Sequence, residues 1–282
     1  MVGLRQLLIV MLLLSGSASA QVFWSVTDRE GRQNWLLGTV HSEDPRLLDF
    51  RPELIDALRQ SRVLALELVP DAGMLDRLNE AMHFDRAELP ELLDESLYQR
   101  VIELMDRHYG MGEPAVARMR PWAVAMTLSL PPPETGLFMD LALSFRAAGM
   151  GTEVVALETL DEQLGFLTGL SETAQIDMIR QAVEDFERIP ELFEALITTY
   201  LSGDLNALER LSFEQLDEMD PEVRRHFYEA GLVDRNRVML ERARPKLEAG
   251  GLIIAVGALH LPGKAGLLQL LRDEGFTVEG IF

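Results

Sequence analysis

Two short segments at opposite ends of the chain carry the same polar signature. Gly38-Thr39-Val40-His41 and Gly257-Ala258-Leu259-His260 both read GxxH, and each directly follows an apolar run. Two further apolar runs end in a carboxylate: Val63 to Leu66 precede Glu67, and Val154 to Leu157 precede Glu158. A glycine lets the backbone turn sharply or come close to a ligand, and a histidine three residues on can point back over that turn. Two imidazoles with one or two carboxylates make an N/O ligand set for Zn²⁺, Mn²⁺, Co²⁺ or Fe²⁺ with positions left open for water or substrate. Such an ion brings the pKa of its water toward neutrality and polarises a carbonyl, giving hydrolysis without a Ser or Cys nucleophile. A metal-free route uses the same residues, with His41 or His260 as general base oriented by Glu67 or Glu158. Each residue alone is weak, because GxxH recurs by chance and a glutamate closing a strand is more often a solvated rim residue. Their convergence carries the reading.

For the four to meet, their strands must lie parallel in one sheet, since ligands of parallel α/β sheets bind outside the carboxyl ends of the strands. The chain supplies such elements. Phe23 to Val26 and Asn34 to Gly38 flank a polar, Gly-containing Asp28 to Arg32, a hairpin signal. Short apolar runs of buried-strand type follow at 63–68, 153–158 and 252–257, with a last strand near 276–278. Helical periods are read at about 72–82, 97–108, 115–128, 137–148, 232–247 and 265–273, with Pro131-Pro132-Pro133 as a breaker. Residues 161–222 read as helical and acidic, with 16 Asp or Glu against three Arg, net −13 of the whole chain's −20. A solvated helical cap inserted beside the cleft is the favoured reading of that stretch; a docking face for a basic partner is the other. The fold class expected is therefore α/β: a mainly parallel sheet covered by helices, in one domain spanning 21–282 with a helical insertion at about 161–222.

Composition narrows the function. The 282 residues carry 46 Asp plus Glu against 26 Lys plus Arg, so nucleic-acid backbones and anionic membranes should repel the chain. With no cysteine there is no disulfide, thiolate metal site, Fe–S cluster or Cys nucleophile. Any metal must use carboxylates and the five histidines, of which His83, His108 and His226 lack partners at ligand spacing and read as structural. H-E-x-x-H, G-x-S-x-G, Walker A and G-x-G-x-x-G are all absent, which argues against zincins, α/β-hydrolases, P-loop enzymes and common dinucleotide-binding folds.

These residues resemble the TraB/PrgY/GumN family, which includes the TIKI-type metalloproteases. The resemblance covers nearly all of the chain after the first twenty residues. It rests on Trp35 to His41, on Glu67 in its strand, on Leu157-Glu158-Thr159 with Glu162-Gln163, on Arg235-Asn236, and on Ala255 to Gly263 with Gly266-Leu267-Leu268. It implies an erythromycin esterase/ChaN-like fold and a divalent-metal-dependent hydrolase, a protease among the options, with Mn, Co or Zn as the cofactor. His41, Glu67 and His260 are then the metal ligands. Glu158 and Arg235 join them as catalytic residues, Arg235 offsetting developing negative charge. Asn236, Gly38 and Gly257 are expected to touch substrate, although Asn236 could instead bond a nearby turn. Asp140 matches an acidic family position, with Met139 where a small residue is usual. The substrate is a peptide or small molecule. The alternative is a non-catalytic extracytoplasmic protein that sequesters a peptide, a signal or a haem-like ligand, or serves polysaccharide export.

Residues 1–20 combine Arg5, the apolar run Leu7 to Leu14 and the small residues Ala18-Ser19-Ala20, the pattern of a secretory signal cleaved before Gln21. The run of eight is far short of the ~20 residues a spanning helix needs. A periplasmic or secreted protein is expected, with no integral membrane segment once the signal is removed. Mass spectrometry of the exported protein should find Gln21 as its first residue; a chain retaining Met1 would refute this.

Overall fold

The computed structural model describes residues 21–282, so the expected leader lies outside the described residues. Six strands form one sheet: β1 (Phe23–Thr27), β2 (Gln33–Thr39), β3 (Val63–Leu66), β4 (Glu153–Ala156), β5 (Leu252–Gly257) and β6 (Thr277–Gly280), in the order β4-β3-β5-β2-β1-β6. The hairpin read from the polar 28–32 segment is present, with β1 antiparallel to both β2 and β6. The remaining pairings, β2 with β5, β5 with β3 and β3 with β4, are parallel. This is the mixed, mainly parallel α/β sheet that the apolar runs imply.

The last strand in the chain's parallel set, β5, is inserted between the first two. Thr39 pairs with Gly257, and Leu66 pairs with both Ala255 and Ala156, so the carboxyl ends of four parallel strands finish almost level. β5 is buried from Leu252 to Val256 and β2 from Asn34 to Thr39, because helices cover both faces of the central strands. Gly38 is fixed by that packing: a Cβ there would stand 3.0 Å from the Ala258 backbone, where the turn after β5 crosses β2.

Two large apolar clusters result. One surrounds the sheet and includes Leu36, Leu64, Ile254 and Leu271. The other lies among helices and joins Leu104, Trp122 and Leu128 to Ile179 and Phe186. The second core is thus built jointly by residues 89–128 and by the acidic segment, so the helical layer is not supplied by 161–222 alone. That segment also reaches the sheet core, through Ile197 and Tyr200 of the Ile189–Leu201 helix. The single helix read over 115–128 is two: Glu113–Val116 and Pro121–Leu128. Pro121 is the reason, since it forces Arg120 into an extended conformation and then starts a new helix at its first position.

One buried polar residue ties the layers together. Asn34 in β2, fully buried, donates from Nδ2 to Leu247 O (3.1 Å) at the end of the Arg235–Ala249 helix and accepts at Oδ1 from Leu252 N–H (3.0 Å) at the start of β5. Asn34→Ala would orphan a buried N–H and a buried C=O, and should cost about 2–4 kcal/mol. Urea unfolding of the variant should show that loss; a cost below about 0.5 kcal/mol, the usual range for surface changes, would remove this link from the account.

Candidate active site

Glu67 and Glu158 each follow the last residue or two of a parallel strand, and β3 and β4 are neighbours. Their carboxylates converge on one cation. Arg235 Nη2 donates to Glu67 Oε2 (2.7 Å) and Glu158 Oε2 (2.6 Å), and its Nε donates to Glu158 Oε1 (2.8 Å). Gln163 Nε2 lies 3.3 Å from Glu67 Oε2 and 3.2 Å from Glu158 Oε2. The other Glu67 oxygen accepts the Gly257 N–H at 2.7 Å. Burial works to raise the Glu67 carboxyl's pKa, yet His260 when protonated, and Arg235 and the Gly257 N–H throughout, outweigh it and hold the group below its ordinary range. Burial likewise opposes charge on Arg235, but Glu158 and Glu67 overcome it and raise the guanidinium's pKa.

Arg235 is aimed by an unusual piece of backbone. It begins the Arg235–Ala249 helix, directly after the π-helical turn Glu229–Asp234, a widened register often found at functional sites. Gly231 in that turn accepts weakly from Arg235 Nη1 (3.4 Å), and a Cβ on it would press on the Phe166 ring at 3.0 Å. Phe166 in turn stacks on His226, whose Nε2 bonds Phe166 O at 2.7 Å. His226 therefore holds the Leu160–Thr168 helix, which carries Gln163, against the turn that presents Arg235. His83 and His108 have local contacts, to Asn79 O and the Phe186 ring.

His260, buried, sits in the turn after β5. Asn236 Nδ2 donates to His260 O (3.2 Å) and Ala265 O (2.8 Å), so its Oδ1 must accept from His260 Nδ1 (2.7 Å). That places the ring hydrogen on Nδ1 and leaves the Nε2 lone pair facing Glu67 Oε1 at 3.6 Å. Burial lowers the His260 pKa despite the nearby carboxylates, which favours this neutral form. Two acceptors aimed at one point call for a cation or a proton between them. Two donors on bonds of about 2 Å to a single ion stand about 3–4 Å apart, so Glu67 and His260 fit a divalent metal as a pair.

His41 does not complete a triad with them. Its side chain is 62% exposed, its ring lies 3.8 Å from that of Phe138, and its Nδ1 is 4.0 Å from Asp140 Oδ2. Among the described residues no group of three or more His, Asp or Glu stands at metal-holding spacing. Of the three ligands expected from the sequence, Glu67 and His260 stand together, whereas His41 lies beside Asp140.

Asp140 was legible only as a family match, yet it meets two residues of the first GxxH, lying near His41 and accepting from Thr39 Oγ1 at Oδ1 (2.7 Å). Burial and the charge of Glu67 raise the Asp140 pKa, against the Thr39 and His41 contacts. Met139 does not keep its helix away; its Sδ lies 3.7 Å from Tyr200 Oη, which donates to Gly38 O at 2.7 Å. Tyr200 had no sequence signal, being one aromatic in an acidic helix, and Gln163 entered only as part of a motif. Both glycines have structural duties: Gly38 N–H bonds Val22 O while its C=O accepts from Tyr200, and Gly257 N–H is committed to Glu67. Asn236 positions His260 and bonds the following turn.

A mainly parallel sheet whose carboxyl edge gathers two carboxylates, a buried histidine and a half-buried arginine defines an α/β protein with a polar cluster at that edge. The chain belongs to the TraB/PrgY/gumN family, whose model matches residues 22–280. Among similar curated proteins are Metalloprotease TIKI2 of Danio rerio, 25% identical over 306 residues, covering 87% of this chain and 58% of that protein. Metalloprotease TIKI1 of Homo sapiens is 26% identical, with 87% and 59% covered. An uncharacterized protein of Treponema pallidum (strain Nichols) is 24% identical over 281 residues, with 92% and 82% covered. The chain thus spans less than two thirds of the TIKI proteins it matches. No solved structure is a significant match.

The helix that brings Gln163 to the carboxylates starts at a capping box between Thr159 and Glu162. Glu162 also takes both Arg242 Nη groups (2.7 and 2.6 Å), and together these hold its pKa down at about 2, against an ordinary 4.5. Because the folded value is the lower, this stability is present above pH 4.5 and is lost as the pH falls toward 2. The pair is two-fifths exposed, so Glu162→Gln should cost only about 1 kcal/mol at neutral pH after solvent screening. Urea unfolding across pH should show a flatter acid limb in that window for the variant; parallel limbs would remove the pair from the account.

Proposed function

We propose that this chain is an extracytoplasmic divalent-metal-dependent hydrolase that cleaves a peptide or other amide bond. The observation that carries the reading is the pairing of His260 Nε2 with Glu67 Oε1 at the carboxyl edge of the sheet, beside a half-buried arginine. Relatives at about 25% identity are named metalloproteases. The signal-like first twenty residues support export, and no helix among the described residues is long and apolar enough to cross a membrane.

Glu67 and His260 would hold the ion, Mn²⁺, Co²⁺ or Zn²⁺, which when bound would supply an acidified water and a polarised carbonyl. The chain's own groups do the rest. Asn236 fixes the His260 tautomer so that Nε2 is the free donor, the usual duty of a residue behind a ligating histidine. Glu158, with a side chain only 2% exposed and both oxygens engaged by Arg235, is a positioning residue. Arg235 keeps Glu67 ionised, and its Nη1 retains a hydrogen for a developing oxyanion, since Nε and Nη2 are committed. His41, exposed and backed by Asp140, exchanges a proton with the substrate.

Metal analysis and titration calorimetry of the mature protein test this, together with turnover of a peptide library. Glu67→Gln and His260→Ala should lose metal binding and turnover together while the far-UV circular dichroism stays native. Asn236→Ala should weaken metal binding about 10- to 100-fold. His41→Ala should lose turnover and keep the metal. Full turnover in chelator-stripped protein would instead favour direct His/Glu general-base catalysis, and tight peptide binding without turnover would favour a sequestering protein.

A further inference from the structure

His41 stands between two regions. On one side is Asp140, which feels the charge of Glu67; on the other is a cavity of about 690 Å³ that His41 itself helps line. Its walls are Tyr109, Met111, Leu130, Phe138, Phe193 and Ile197, with the proline run 131–133. The volume is of the size that ordinary ligand sites have.

Three polar staples separate these walls and keep the cavity preformed. Glu43, two residues beyond His41, accepts from Glu134 N–H (3.1 Å), Thr135 N–H (2.6 Å), Gly136 N–H (2.9 Å) and Thr135 Oγ1 (2.8 Å), so it clasps the loop that carries Phe138. Tyr109 Oη donates to Leu130 O at 2.7 Å, joining the Glu95–Tyr109 helix to the start of the proline run. Arg46 donates to both oxygens of Glu194, at 3.0 and 2.7 Å, tying the Ile189–Leu201 helix to the segment after β2. Apolar walls without such ties would close on one another.

The charge around the cavity is one-sided. Glu43, Asp44, Glu134 and Glu194 are among the lining residues and no lysine or arginine is; Arg46, just outside, pairs with Asp44 and Glu194, so Glu43 and Glu134 carry the negative charge that is left. An acidic occupant is repelled and an uncharged apolar one is favoured, with a basic neighbour tolerated. We propose that this cavity is the specificity pocket of the enzyme, taking a large uncharged apolar side chain, such as Phe, Leu or Met, of a peptide whose backbone passes His41. The proposal rests on the hydrolase reading for its purpose, although the pocket would bind the same peptide without turnover.

The test therefore reads binding separately from cleavage. The probes are fluorescently labelled decapeptides, identical except for Phe, Gly or Asp at one position, each also made with reduced peptide bonds that cannot be hydrolysed. Anisotropy with the mature protein should rank Phe above Gly by about 10- to 100-fold, the effect of burying one large apolar side chain, with Asp weakest. Phe193→Asp should erase the preference for Phe. Glu134→Lys, which puts a positive charge on the exposed rim, should raise Asp binding relative to Phe. Equal binding of the Phe and Gly peptides, or an unchanged preference in a folded Phe193→Asp protein, would overturn the pocket. So would a Phe193→Asp change that alters only self-association in sedimentation, which would make the cavity a contact between copies. Selective binding of the reduced peptides with no cleavage of the ordinary ones would uphold the pocket and sink the hydrolase reading.

Discussion

The charge balance among Glu67, Glu158 and Arg235 is the constraint around which the site is arranged. Adjacent parallel strands deliver two carboxylates to one edge, and a single guanidinium bridges them. Like charges brought together in a partly buried place drive one carboxyl to keep its proton. A cation held between them keeps Glu67 ionised instead. Deleting one partner of a buried ion pair generally costs about 3–5 kcal/mol, so the arrangement is stable only while all three are present. That dependence reaches outward: the π-helical turn, Gly231, the Phe166 and His226 stack and Gln163 all bear on where Arg235 lies.

A second, quieter constraint acts on His260. Asn236 commits both amide hydrogens to backbone carbonyls, so its oxygen can only accept, and the imidazole hydrogen is thereby assigned to Nδ1. Burial keeps the ring neutral. Arg235 and Asn236 are consecutive, so the first turn of one helix sets both the ionisation of Glu67 and the tautomer of its neighbour. Such coupling places both groups on rigid elements, where a shift of one helix would disturb them at once.

The helices outside the sheet serve the site in two different ways. The Leu160–Thr168 helix supplies Gln163 directly to the carboxylates, whereas the Ile189–Leu201 helix acts through Tyr200 on the backbone of Gly38, at the base of the first GxxH. The second apolar core, shared between the helices of 89–128 and those after Leu160, supports one side of the cavity beside His41. Acidic residues of this layer are largely exposed or paired, as a solvated helical face would have them.

Periodicity alone made the sheet legible. Short apolar runs bounded by breakers mark β2, β3, β4 and β5 within a residue or two; β2, β3 and β5 are buried strands with no polar position to alternate with, whereas β4 is an edge strand exposed at Glu153 and Ala156. The glycine, histidine and glutamate at the ends of those runs marked the edge where the polar groups gather, since parallel strands bring their carboxyl ends together whatever their separation in the chain. Pro121 was equally visible, but its effect on one helix was masked by the apolar residues on either side. What the sequence could not specify is which polar groups meet. Arg235 lies 168 positions from Glu67, and whether a guanidinium or a second histidine faces that carboxylate depends on the rotation of a helix whose phase is shifted by a π-turn. His41 and His260 carry the same motif and yet differ in burial, because one turn is packed beneath Asn236 while the other opens toward Phe138 and Asp140. Tertiary packing decides such differences: motif spacing fixes only distance along the chain, whereas burial, tautomer and charge pairing depend on neighbours contributed by distant segments.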